Sequence, residues 1–136
     1  MAAIGALERL NAFINNSATI TEVVGAAGIA TPVHRAVMYD TDGNVVLATS
    51  GETAIGLVLS NTLEPKAAGE RVHVLIKQIG LVEAGAAITK GDLVTINATG
   101  QAIPAAAGDF IFGRAFTAAP AGAAAQVQIN QMGFMA

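Results

Sequence analysis

Along residues 71–78, RVHVLIKQ, the apolar Val72, Val74 and Ile76 alternate with His73, Leu75 and Lys77. Along 124–131, AAQVQINQ, Ala125, Val127 and Ile129 alternate with Gln126, Gln128 and Asn130. A period of two sends successive side chains to opposite faces, so both segments predict half-buried strands. From TEVVGAAGIATP (21–32) onward, short apolar runs recur between Gly, Asp and Asn steps at intervals of roughly ten residues, with no second helical pattern. The expected class is all-β, a compact sandwich, barrel or clip.

The first seventeen residues, MAAIGALERLNAFINNS, follow a different rule. Ile4, Leu7, Leu10 and Ile14 recur at helical spacing with Phe13 beside them, and Asn15 and Asn16 offer a C-terminal stop. The spacing predicts a short amphipathic helix over 2–14, weakened by Gly5 and too short to hold in water unless its stripe docks. That stripe either lies on the core of its own domain or forms an arm that orders on a partner. The chain divides on this reading into an N-terminal arm, 1–30, and a β-domain, 31–136.

The β-domain contains an internal repeat. RAVMYDTDGNVVLATSGETAIGLVL (35–59) and DLVTINATGQAIPAAAGDFIFGRAF (92–116) align without a gap at an offset of 57, so that Gly43, Gly51 and Gly56 meet Gly100, Gly108 and Gly113. After a four-residue shortening, Gly69, Val74, Ile76 and Gln78 meet Gly122, Val127, Ile129 and Gln131. Each shared glycine marks a backbone position with its own steric demand. Two similar β-units, 35–78 and 92–131, packed around one core are the expected architecture.

Composition changes this picture in one respect. Apolar residues make up 53% of the chain but 29 of them are Ala, and charged residues make up only 12%, against roughly 25% in an ordinary soluble domain. So neutral a surface points to a protein packed against neighbours. The net charge is −3, the seven basic residues are scattered singly, and there is one Tyr and no Trp, which argues against a nucleic-acid partner. No cysteine is present, so neither disulfides nor thiolate chemistry arise. No basic residue precedes the first apolar ones and no apolar run reaches about 18 residues, so neither a signal peptide nor a membrane partner is expected.

Candidate chemistry is sparse. Asp40–Asn44, DTDGN, resembles the start of a calcium loop, but Gly43 comes too early and the twelfth position is Gly51 rather than a bidentate Glu. Asp-Gly between AVMY and VVLA signals a hairpin, and NATGQ (97–101) holds the same place without carboxylates, so Gly43 and Gly100 are read as turn glycines. His34 and His73 lie 39 residues apart with no Cys, which does not make a zinc site, and His73 is expected to face solvent or an interface. Ser17, Ser50 and Ser60 lack a nucleophile elbow, and no phosphate-binding glycine loop occurs. Glu52 and Asp109, each after a Gly, are read as caps of backbone N–H groups. No catalytic residue, cofactor or metal is expected. Biotinyl and lipoyl carriers share the frame of KGDLVTINATGQAIPAAAGD (90–109), yet PAAAGD lacks the acceptor Lys and Lys90 precedes the strand.

From about Pro32 to Gly133 the chain resembles the tailed-phage head decoration, or capsid cement, family. The resemblance rests on YDTDGNVVLATSGETAIGLVLS, AAGERVHVLIKQIGLVEAGAAITKGDLV, GDFIFGRAFTAA and the closing QVQIN. It implies a small β-tulip or barrel-like protein, made in the host cytoplasm, that binds the outer capsid surface. It also implies a homotrimer that bridges major capsid protein subunits, with no catalytic residue. Ile4, Leu7, Leu10 and Phe13 are the candidate anchoring arm. Two alternatives stay open: a β-clip module binding a small polar ligand such as a sugar, and an adhesive component of a head fibre or tail.

Overall fold

The computed structural model describes residues 18–59 and 62–136. The described chain is all-β, with ten strands and no helix among the described residues. In order these are β1 (Thr19–Val23), β2 (Ala36–Tyr39), β3 (Val45–Leu47), β4 (Ala54–Val58), β5 (Arg71–Leu75), β6 (Gln78–Glu83), β7 (Leu93–Ile96), β8 (Ala102–Pro104), β9 (Phe110–Ala115) and β10 (Ala124–Phe134). They form two five-stranded sheets, β1-β5-β4-β2-β3 and β6-β10-β9-β7-β8, in which the named strands pair antiparallel. The two expected β-units are these two sheets, and neither closes into a barrel.

Strand by strand the sheets superimpose in topology and in register. Val37 pairs with Leu47 in the first sheet, and Val94 with Pro104 in the second. Val23 pairs with Arg71 as Glu83 does with Ala124. The isolated bridges repeat as well, Val24 to Val45 and Ile29 to Lys66 matching Ala84 to Ala102 and Ile88 to Ala119. The repeat therefore begins earlier than residue 35. β1 is the counterpart of β6, and Val24 and Ile29 are each 1% exposed in the first core. The β-domain accordingly takes in residues 19–30, which the periodicity of the sequence groups with the arm.

Gly56 and Gly113 show why the central strands need glycine. A Cβ at Gly56 would run into the backbone carbonyl of Leu75 on β5, and one at Gly113 into that of Gln128 on β10. Absence of a side chain lets the strands cross closely and the sheets curl.

Each sheet wraps its own apolar cluster. The first is mostly valine, including Val37, Val45, Val58, Val72 and Val74. In the second, Ala102, Ala115 and Ala125 replace three of these, and Phe112, fully buried, stands where the first unit has Ile55. One large ring thus fills a space widened by several lost methyls, which keeps the interior at packed density. The second cluster also takes in Ala36, Ala54 and Leu57 from the first sheet, so a single core spans the junction of the units. Burying Leu57 and Phe112 there contributes about 2 kcal/mol each from the water-excluded area alone.

Candidate interaction surface

The most site-like stretch, Asp40–Asn44, folds as a turn. Asp40 Oδ1 accepts hydrogen bonds from the N–H groups of Asp42 (2.9 Å) and Asn44 (3.0 Å). Asn97 Oδ1 repeats this with Thr99 and Gln101, both at 3.0 Å. A side-chain oxygen shared by carboxylate and carboxamide suffices for such a turn. Gly43 and Gly100 sit in it with φ of +79° each. Asp109 Oδ2 accepts from Ala106 N at 2.9 Å, a cap just before β9. At the matching turn of the first unit, Ser50 Oγ bonds Thr53 N at 3.4 Å.

The histidines take separate roles. His73 is exposed, and its Nδ1 lies 3.0 Å from Thr21 Oγ1 across the β1–β5 pair. His34 adopts φ +55° where the second unit has Gly91 at +94°, and its carbonyl accepts from Glu83 N at 2.8 Å. Among the described residues no three His, Asp or Glu side chains group as metal ligands. Ile4, Leu7, Leu10 and Phe13 lie outside the described residues.

The best organised polar cluster joins the units. Arg35 Nη2 donates to Glu83 Oε2 at 2.8 Å and Nη1 to the Thr99 carbonyl at 2.9 Å, while Gln101 Nε2 donates to the same Glu83 oxygen. Gln131 Nε2 donates to the Ala54 carbonyl at 2.6 Å, and Ala36 N to the Gly100 carbonyl at 2.8 Å. These bonds lock the relative position of the sheets. Sequence reading missed them because Arg35 and Glu83 are 48 residues apart and neither sits in a motif.

Apolar side chains reach the surface at three places. Leu57, Leu59, Leu75, Ile79 and Leu81 line a groove of about 350 Å³ between the sheets, with Ile79 47% exposed. At another edge Phe134, 62% exposed, meets Phe110 edge to face at 5.3 Å beside exposed Met132. On the first unit Tyr39 is exposed and its hydroxyl bonds the Glu22 carboxylate; desolvation first, then that bond and the negative charge of Glu22, hold its pKa above the ordinary value. Exposed apolar groups of this kind stand out on a chain with so few charges.

The profile of the phage cement proteins matches residues 62–131, just over half of the chain. The chain belongs to the phage cement protein family. Cement proteins are structural proteins of phage, in keeping with a described surface organised by turns and inter-sheet bonds. The fold of this cement-family chain is also similar to a solved structure, the N base of the head fiber protein gp8.5 of bacteriophage phi29. That likeness has a TM-score of 0.60 at 17% identity and covers 87% of this chain and 99% of that one. No curated protein sequence matches the chain significantly.

Proposed function

We propose that this protein decorates the outer surface of a phage capsid and reinforces it by bridging major capsid protein subunits. The observation that carries the reading is the family match over residues 62–131, which takes in β5 and the second sheet as far as Gln131 in β10. The low charge and the exposed apolar side chains support it, since a cement protein buries area against the shell and against its own copies. Many modest contacts on a symmetric shell then add up through multivalency. In this reading the protein acts as a homotrimer, and Ile4, Leu7, Leu10 and Phe13 form an arm that orders on the shell. Its place is the outer face of the virion after synthesis in the host cytoplasm, and no catalysis is involved.

Sedimentation with expanded capsid shells tests this. Full-length protein is expected to pellet with shells saturably, and a chain lacking residues 2–16 to pellet less while its β-domain stays folded. Equal pelleting of both forms would remove the arm from the account, and no pelleting of either would remove the capsid. A second reading, a head-fibre component, is favoured by the likeness to the phi29 head fiber base. Labelled protein clustered at fibre attachment points rather than spread over the shell would select it.

A further inference from the structure

The apolar groove between the sheets begins beside the first strand. Thr19 pairs with Leu75 across β1 and β5, and Leu75 pairs in turn with Leu57 across β5 and β4, so the three side chains stand abreast on one face of the first sheet. That face meets β6. A Cβ at Gly80 would lie 2.6 Å from Leu75 Cδ2 and 3.1 Å from Leu57 Cδ1, so both leucines pack directly on the β6 backbone. Leu59, Ile79 and Leu81 complete the groove, Gln126 is the one polar side chain of the lining, and no lining residue is charged. Ile79 is 47% exposed, and Leu59, Leu75 and Leu81 are only half-buried.

Its size and lining define the occupant. A volume of about 350 Å³ lies near the lower end of the roughly 300 to 1,000 Å³ that hold small ligands, and nothing in the lining pairs with a charge. It suits a few apolar side chains. The described chain starts at its rim, where the Ala18 carbonyl accepts from Ile76 N at 2.9 Å and β1 follows at the next residue. Outside the described residues are 1–17, with Ile4, Leu7, Leu10, Phe13 and Ile14, and the polar pair Ser60 and Asn61. Only the N-terminal segment can supply large apolar groups. From Ala18 back to Ile14 an extended chain reaches about 14 Å, whereas Leu75 and Leu57 lie one and two strand spacings from Thr19, about 5 and 10 Å.

We propose that in the free protein the apolar stripe Ile4, Leu7, Leu10 and Phe13 lies in this groove of its own chain. The tether selects its own chain over a second copy or a foreign partner. A linker as short as Asn15–Ser17 holds the stripe at an effective concentration of about millimolar, which a second copy in dilute solution does not match. A helix under four turns finds here the docking surface it needs to hold in water, and the exposed leucines and Ile79 are covered. The seat goes beyond the proposed function and does not rest on it. In the capsid reading the stripe leaves this groove when the shell takes it, so the groove stores the anchor until assembly.

The chain has no Trp, so Phe13→Trp in the full-length protein reports the stripe alone. Its emission is expected to be blue-shifted and shielded from acrylamide at every protein concentration, because the contact is intramolecular. Ile79→Asp in that background places a carboxylate in the groove and is expected to lower the ratio of seated to free stripe about tenfold or more, moving the emission to the red. Circular dichroism confirms the fold of each variant. The chain also has no Cys, so Leu10→Cys combined with Ile79→Cys gives a second measurement that adds no charge. Oxidation is expected to cross-link this pair within the monomer, and not the control pair Leu10→Cys with Asp42→Cys, whose turn lies at the far end of β2 from Ala36 and Leu57. A solvated tryptophan at all concentrations overturns the seat. A blue shift that Ile79→Asp leaves unchanged, or a cross-link no stronger than the control, places the stripe elsewhere and overturns it as well. A shift that fades on dilution, with dimeric cross-links, puts the stripe of a second copy in the groove and overturns the claim for its own chain. No shells enter the readout, so failure here leaves decoration standing, and failure to pellet with shells leaves this seat standing.

Discussion

Arg35 and Glu83 hold the two sheets together through one guanidinium-to-carboxylate contact of 2.8 Å, with side chains 14% and 24% exposed. Arg35 also reaches the Thr99 carbonyl, so one fork ties the start of β2 to both β6 and the β7–β8 turn. Removing it leaves a largely buried carboxylate with Gln101 alone. Arg35→Ala is expected to cost about 2 to 4 kcal/mol in urea unfolding. Arg35→Lys is expected to recover little of it, because one ammonium cannot hold the two acceptors in that geometry. Full stability of the alanine variant would show that the junction rests on apolar packing alone.

Gly43 and Gly100 share a φ of +79° but not their surroundings. Gly43→Ala meets open space and is expected to cost only the left-handed backbone penalty, about 1 kcal/mol. Gly100→Ala adds a clash with the Ala36 carbonyl at the unit junction and is expected to cost at least twice as much. Thermal melts of the two variants side by side check the difference, and equal losses would contradict the packed junction.

Asp40 works as a turn acceptor, and Asn97 does the same work as an amide. Asp40→Asn should therefore change stability by less than about 0.5 kcal/mol, whereas Asp40→Ala should lose about 1 to 2 kcal/mol with its two hydrogen bonds. Calorimetric titration with calcium is expected to give no heat of binding. A stabilising response to calcium that disappears in Asp40→Asn would restore the metal-loop reading.

Tyr39 is the sole tyrosine, so phenolate absorbance reports it alone. Desolvation, and then the bond to Glu22 and its charge, raise its folded pKa above the usual value of about 10. A group whose folded pKa is raised stabilises the fold below its unfolded pKa and loses that contribution as pH rises through the folded value. Stability is thus expected to fall above about pH 10. Glu22→Gln, which removes the neighbouring charge, should move the midpoint back down. A midpoint indifferent to that substitution would contradict the Tyr39–Glu22 contact.

The repeat was legible in the sequence because the glycines at 43, 56 and 69 and their partners at 100, 113 and 122 each answer to a backbone constraint. β2 with β7, and β3 with β8, coincide at the offset the glycines define. The correspondence of β1 with β6 was not legible. TITEV (19–23) and IGLVE (79–83) share no residue at equivalent positions, and Glu22 and Val23 stand where the second unit has Val82 and Glu83. The junction was hidden for a related reason. Its residues act in only one of the two units, so aligning the repeats gives no hint of Arg35 against Glu83 or of Leu57 over Gly80. Hydrophobic period likewise marked the stripe of residues 4–13 without indicating its seat.

The capsid role is tested most directly by an electron-microscopy reconstruction of the virion that carries this protein. The account predicts two-sheet density on the outer face of the shell, at symmetry-related positions where each copy touches more than one major capsid protein subunit. Density confined to a single fibre or tail attachment, or a shell without it, would contradict that claim.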